Sequence, residues 1–452
     1  MEVTKPNIVL ITTHDLGRHL GCYGARTVQS PNLDALASRG VLFTQTFATA
    51  PQCSPARAAL ATGRYPHTNG VMGLAHGEFS WHLPSTETHI AQHLKDNGYH
   101  TALFGLQHVT SNDKVQVLGF DEWQLGGQSR VVSPQVVQWL QTRGRSQTAS
   151  QPFYLEIGFG DTHRPWGGNL PDWTLGTHRP RWLPPYSGSD EEMARFQGEI
   201  YAVDQAIGKI VEALRHSGFH SNTWLIFTSD HGIAIPRAKG TLYDPGIEVP
   251  LIMEWPDRHL STATFDHLIS HVDIVPTILE ALNVNVPSSV QGYSFWPLLT
   301  GKPYRPRTEI FAEKTYHTVY DPIRAIRTTA EKMIVHFNTY DTADVPVDAK
   351  DSPVYEVLRP ELTRPHSYVE LFDLIDDPLE RRNLAGNPDA YNLMENLVQR
   401  LRQWMNATKD PLLEGMVASP TYRRALDLLT GRVSLQEFMA SIQHPGIRRP
   451  GH

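Results

Sequence analysis

The first apolar run, Asn7-Ile8-Val9-Leu10-Ile11-Thr12, is continuous rather than alternating, as in a strand buried on both faces. Helical spacing follows at Leu33–Arg39, Ser54–Ala61 and His89–Asn97, with Gly40, Gly63 and Gly98 placed as stops. Further strand-length runs fall at Thr101–Phe104, Phe153–Phe159, Thr223–Thr228 and Pro250–Trp255. Between the last two strand pairs, Met193, Phe196, Ile200, Val203, Ile207, Ile210 and Leu214 recur every three or four residues. That spacing predicts a long helix near Asp190–Ser217 with one buried face, ended by Gly218. Strands alternating with helices predict an α/β fold, a mainly parallel sheet flanked by helices on both faces. Sites in such sheets form beyond the carboxyl ends of the strands, so the residues that follow each strand matter most.

Near Tyr304 the pattern changes. Gly301-Lys302-Pro303 and Pro306 read as a linker, followed by short strands at Glu309–Lys314, Ile323–Thr328, Lys332–Phe337 and Val369–Asp373 and a helix over roughly Asp389–Asn406. The expected organisation is a large α/β domain over residues 1–303, a smaller C-terminal α+β subdomain with an antiparallel sheet over 304–410, and a helical tail over 411–452 with a basic, proline-containing end. With 452 residues and 40% apolar positions, the chain has ample material for a large core. Its net charge of −7 argues against a nucleic-acid partner. No apolar run reaches the roughly 18 residues that span a bilayer, and the segment Met1–Pro6 lacks the apolar core of a signal peptide. The expectation is therefore a cytoplasmic protein without membrane contact. Two cysteines, Cys22 and Cys53, are too few for a disulfide framework.

The residues after the strands carry the candidate chemistry. Thr13-His14-Asp15 follows the first strand and Ser229-Asp230-His231-Gly232 follows Thr223–Thr228. Either pair alone suits a capped turn; two such pairs past parallel strands can converge on one divalent ion. Asp161-Thr162-His163-Arg164-Pro165-Trp166 follows Phe153–Phe159, and His108 ends the stretch after Thr101–Phe104. Cys53-Ser54-Pro55-Ala56-Arg57 places a thiol at a helix start with an arginine one turn on. Its structural reading is a buried cysteine beside an ordinary start, Ser54 as N-cap and Pro55 at the first position.

Cys53-x-Pro55-x-Arg57, continued by Thr62-Gly63-Arg64, resembles the signature of the type I sulfatases of the alkaline phosphatase superfamily. Gly105-Leu106-Gln107-His108 resembles that family's G-K-x-H element, with Leu106 in the place of the lysine. His163-Arg164-Pro165-Trp166 resembles its H-x-P-F/W element, and Lys239-Gly240-Thr241-Leu242-Tyr243 its K-G-x-x-Y run, in which Glu248 stands for a later arginine. His67–Leu74 and Phe227–Pro236 look most like heparan N-sulfatases (sulfamidases). The resemblance implies an alkaline-phosphatase-like fold and hydrolysis of a sulfate ester or sulfamate, most naturally on a sulfated sugar. It implies that a formylglycine-generating maturation enzyme oxidises Cys53 to formylglycine. His14, Asp15, Asp230, His231 and position 53 would hold one divalent metal. Calcium is the family's ion, and the imidazoles of His14 and His231 leave manganese or zinc open. Among catalytic residues, Arg57 would hold the nucleophile, Lys239 the sulfate, and His108 and His163 would be acid/base and substrate-binding groups. A homodimer is compatible with it. Two alternatives remain: a phosphonate monoester or phosphodiester hydrolase of the same superfamily, favoured by Leu106 and the histidine-containing metal set, and a non-catalytic relative that binds sulfated glycans.

Overall fold

Successive side chains of the first strand go to opposite sides, Val9 and Ile11 into one core and Ile8 and Leu10 into another, which is why its apolar run is unbroken. In the computed structural model, which describes residues 5–76, 79–258, 260, 262–338, 344–363 and 367–442, eight strands form one sheet. They are β1 (Asn7–Thr13), β2 (Val41–Phe47), β3 (His100–Gly105), β4 (Glu122–Leu125), β5 (Phe153–Phe159), β6 (Thr223–Ser229), β7 (Glu248–Glu254) and β8 (Ala263–Ser270). Their spatial order is β4-β3-β5-β1-β6-β7-β2-β8. All neighbours run parallel except β7, which is antiparallel to both β6 and β2. The fold is thus the expected mainly parallel sheet with helices on both faces.

One face is covered by Phe196, Ile200, Val203, Ile207 and Leu214 of the helix Ser189–His216, together with Val132, Val136 and Leu140 of the helix Ser129–Gly144. The other is covered by Ile90 and Leu94 of Ile90–Asp96 and by Ile274, Val275 and Ile278 of the helix Ile274–Ala281. The sequence reading omitted β2, β4, β8 and the helix Ser129–Gly144. Pro134 inside that helix hides an i, i+4, i+8 apolar row, while β8 exposes alternate residues in its first half and so lacks a continuous run.

A second sheet of four antiparallel strands follows: β9 (Ile310–Tyr316), β10 (Tyr320–Arg327), β11 (Glu331–His336) and β12 (Val369–Asp373), ordered β12-β11-β10-β9. Its Ile310, Ala325, Ile334 and Phe372 pack on Phe47 and Leu268 of the first sheet and on Leu242 and Ile247 just before β7. The helix Tyr391–Thr408 packs through Leu397, Leu401 and Trp404 against its other face. Two short helices, Pro420–Leu429 and Leu435–Ile442, follow, while the segment Met1–Thr4 and the basic end of the tail lie outside the described residues. No helix among the described residues is long and apolar enough to cross a membrane.

Candidate active site

Strand register alone brings the two aspartate/histidine pairs together. β1 lies between β5 and β6, with Thr13 opposite both Phe159 and Ser229, so His14, Asp230 and Gly160 are each the next residue at one end of the sheet. Asp15 turns back with a positive φ of 51°, and its amide donates to Asp230 Oδ1 at 2.9 Å. The Leu16 amide donates to Ser229 Oγ at 3.1 Å and the Gly17 amide to the His231 carbonyl at 3.0 Å. The Gly232 amide donates to the Gly246 carbonyl at 3.0 Å, which seats the next loop, and that loop carries Lys239. Thr162 and Thr13 share a hydroxyl hydrogen bond of 2.7 Å, tying the loop after β5 to the end of β1.

The thiol enters from the helix Cys53–Thr62. The sequence reading of Ser54 as N-cap is corrected here. Gln52 precedes the helix and its carbonyl accepts from the Ala56 amide at 3.1 Å, while Ser54 Oγ accepts from the Ala75 amide at 2.9 Å and so pins a neighbouring loop. One turn on, Arg57 donates from Nε to Asp230 Oδ2 at 3.0 Å and from Nη1 to Thr12 Oγ1 at 2.9 Å. Lys239 Nζ lies 2.7 Å from Asp15 Oδ2 and 2.6 Å from Asp348 Oδ2.

These contacts set the charges. Burial pushes Asp15 and Asp230 upward more than any single neighbour pulls them down. Lys239, His14, His163 and His231 together nevertheless hold Asp15 well below the usual carboxylate range, and His231, His14 and Arg57 do the same for Asp230. For Lys239, burial works against the ammonium, but Asp15, Cys53 and Asp348 outweigh it and keep the charge. Burial lowers His14 to about 4, against the pull of Asp230 and Asp15. The Cys53 thiol is pushed well above its ordinary value by burial, with Asp15, Asp230 and Asp348 adding to the effect and Lys239 opposing it. It is therefore a neutral thiol, a poor nucleophile as it stands.

Ligand atoms of His14, Asp15, Cys53, Asp230 and His231 all lie within 4.8 Å of one another, and all five residues are buried. His14 Nδ1 donates to Asp15 Oδ1 at 2.7 Å, leaving its buried Nε2 without a partner. His231 Nδ1 faces the Gly232 carbonyl at 2.9 Å, which only accepts, so its proton sits there. Its buried Nε2 lies 3.1 Å from Asp15 Oδ1 without a hydrogen bond. The three carboxylates Asp15, Asp230 and Asp348 also exceed the two cations Arg57 and Lys239 by one charge. A dication reverses that sign and suits an anionic substrate, so the donor set fits a divalent metal.

The predicted acid/base groups line a cavity of about 410 Å³ that opens beside this cluster, with His14, Leu106, His108 and His163 on its wall. The His14 ring stands 4.6 Å from that of His163 and 5.4 Å from that of His108. His163 Nε2 is 3.4 Å from Asp348 Oδ2. His108, held at a φ of 57°, is pushed well below its ordinary value by burial, with His14 and Arg57 adding to it, and its Nδ1 has no partner.

Residues 6–284 match the family described as Sulfatase, and residues 237–357 match the family described as N-sulphoglucosamine sulphohydrolase, C-terminal. The chain belongs to the sulfatase family. An ulvan-active sulfatase of Formosa agariphila is 28% identical, the match covering 92% of this chain and 83% of that protein. Human N-sulphoglucosamine sulphohydrolase is also 28% identical, covering 90% of this chain and 91% of its own. A solved 2-O GAG sulfatase superposes with a TM-score of 0.71 at 21% identity over 92% of this chain and 95% of its own. A protein solved with its substrate D-glucosamine-2-N,6-O-disulfate does so with 0.67 at 19% identity over 90% and 98%.

In this sulfatase the structure gathers every site residue singled out in the sequence around one centre: His14, Asp15, Cys53, Arg57, His108, His163, Asp230, His231 and Lys239. Glu248, which replaces an arginine of the family run, pairs with Arg18 at 2.6 Å and lies on the rim of β7, a structural role. Asp348 was missed. It sits in the short helix Val347–Lys350, between the strands of the second sheet in chain order, and reaches Lys239 across 109 positions of sequence. No motif surrounds it, and an isolated Asp in a helix of four residues carries no signal of its partner.

Proposed function

We propose that this chain hydrolyses a sulfate ester or sulfamate on a sugar, using a formylglycine made from Cys53 and one divalent ion held by His14, Asp15, Asp230, His231 and position 53. The observation that carries the reading is the buried, neutral Cys53 thiol inside a five-donor cluster, in a chain of the sulfatase family. A thiol pushed well above its ordinary value is a poor nucleophile, and conversion to an aldehyde hydrate supplies a better one. Relatives named for ulvan and for N-sulphoglucosamine support a sulfated glycan as substrate class. When present, the ion supplies Lewis-acid polarisation and the aldehyde hydrate supplies the attacking oxygen.

The chain's own residues do the rest. Lys239 binds a sulfate oxygen as the charge on that group grows, and its ion pairs with Asp15 and Asp348 fix the ammonium beside the cluster. Arg57 locks Asp230 and the end of β1, so the donor set keeps its shape. His163, a third exposed at the cavity wall, is placed to protonate the leaving oxygen or nitrogen. His108, held neutral by burial and with a free Nδ1 on the cavity wall, is the second acid/base group in this reading. Two imidazoles among the donors move the metal preference from calcium toward manganese or zinc. Leu106, apolar on the cavity wall where the family has lysine, favours one second reading, a phosphonate monoester or phosphodiester hydrolase.

Co-expression with a formylglycine-generating enzyme should remove about 18 Da at Cys53, the thiol-to-aldehyde difference, and Cys53→Ala should bring aryl sulfate turnover to background. Full sulfatase activity with an unchanged mass would sink the mechanism. Rates on aryl sulfate and aryl phosphonate monoester from one preparation decide between the two readings.

A further inference from the structure

Among the charged groups lining the cavity beside the metal cluster, one arginine has no carboxylate partner among the described residues. Its two acids, Asp161 and Glu199, are held by neutral donors rather than by the arginine. Asp161 accepts from the Ser129 amide at 2.7 Å and the Ser129 hydroxyl at 2.9 Å, and Glu199 accepts from the amides of Gly167, Gly168 and Asn169. Arg164 pairs with Glu192 and donates to the Ala234 carbonyl at 2.7 Å. Arg130, exposed on the same cavity wall, has no carboxylate partner among the described residues. Its Nε and Nη2 donate to the neutral Gln128 Oε1 at 3.0 and 2.9 Å. A guanidinium carries five N–H donors in one plane, so three stay free, including both on Nη1. They form the fork that fits a carboxylate or sulfate through two parallel bonds.

The position of that fork is built in. Arg130 is the second residue of the helix Ser129–Gly144, and the Asp161–Ser129 bonds tie the helix start to the loop that carries His163. The guanidinium thus lines the same cavity as His163 and Leu106. We propose that Arg130 forms a second anion subsite, which binds a carboxylate or further sulfate group on the sugar whose first sulfate is hydrolysed. This rests on the sulfatase reading above. It makes Arg130 a determinant of specificity for doubly anionic sugars, with Gln128 orienting it.

The test compares Arg130→Gln and Arg130→Lys with wild type on three substrates: an aryl sulfate, D-glucosamine-2-N,6-O-disulfate, and an N-sulfated glucosamine linked to a uronate. For Arg130→Gln we expect kcat/KM on the disulfated or the uronate-bearing sugar to fall about 10- to 100-fold, mainly through KM, as for a lost charged hydrogen bond. Aryl sulfate should stay within about twofold, and Arg130→Lys should recover part of the loss. Which of the two sugars responds identifies the second anion. Equal loss on all three substrates, or no loss on either sugar, overturns the subsite. If wild type turns over none of them, the sulfatase reading has failed. Calorimetric binding of the disulfated sugar to wild type and Arg130→Gln then judges the subsite alone: tighter binding by wild type supports it, equal binding overturns it.

Discussion

Gly232 is the hinge on which the second half of the metal cluster turns, and replacing it by alanine tests the site's geometry directly. A Cβ there would lie 1.8 Å from the Pro245 carbonyl oxygen and 2.9 Å from Gly246 Cα. Cβ contacts below 3.0 Å are essentially never seen, so the two backbones must part by about 1 Å. Neither obstacle is a side chain that can swing aside. The strain falls on the bond from the Gly232 amide to the Gly246 carbonyl, now 3.0 Å, and so on the loop that places Asp230 and His231 against the loop that places Lys239. Overpacking of this kind costs about 1–3 kcal/mol, and the upper end is expected here because only backbone can yield. A misplacement of about 1 Å at reacting groups costs on the order of 10²-fold in rate. Urea unfolding and aryl sulfate turnover of matured Gly232→Ala measure both. Gly386→Ala is the control: that position is exposed and open, and stability should stay within about 0.5 kcal/mol. A Gly232→Ala protein with wild-type unfolding midpoint and wild-type kcat/KM would refute the account of why glycine follows His231.

Lys239→Met should lower kcat on aryl sulfate by about 10²–10³-fold, as for one lost donor to a developing anion; a loss under tenfold in a folded, matured protein removes Lys239 from the sulfate site. Buried neutral histidines should make the chain acid-sensitive. Burial depresses His89 to about 3, and its Nδ1 accepts the Ala91 amide at 3.1 Å, a bond only the neutral ring can make. Because a base depressed in the folded state binds its proton mainly when unfolded, this stabilisation is complete above about pH 6.5 and is lost as pH falls toward 3. His89→Asn, which can still cap the helix, should flatten the stability profile between pH 6.5 and 4; an unchanged slope would count against this assignment.

Much of the fold was legible because parallel strands buried on both faces leave continuous apolar runs, as at β1, β5 and β6, and because a long amphipathic helix repeats its pattern many times, as at Ser189–His216. β8, half exposed, and the helix interrupted by Pro134 left weaker traces. In the site, Asp15, Asp230 and His231 stood out because they follow strand ends, and Cys53, Arg57 and Lys239 because the runs around them resemble the sulfatase signatures. Local residue order, by itself, determined which groups are candidates for the chemistry and on which elements they ride. Tertiary structure alone decided how their charges are completed. Asp348 reaches Lys239 from beyond the second sheet's third strand, Ser54 serves the Ala75 loop rather than its own helix, and Arg130 has no carboxylate partner among the described residues while Asp161 and Glu199 accept from backbone amides. Electrostatic partners are chosen by distance in space, and distances between residues over a hundred positions apart exist only once the chain has folded.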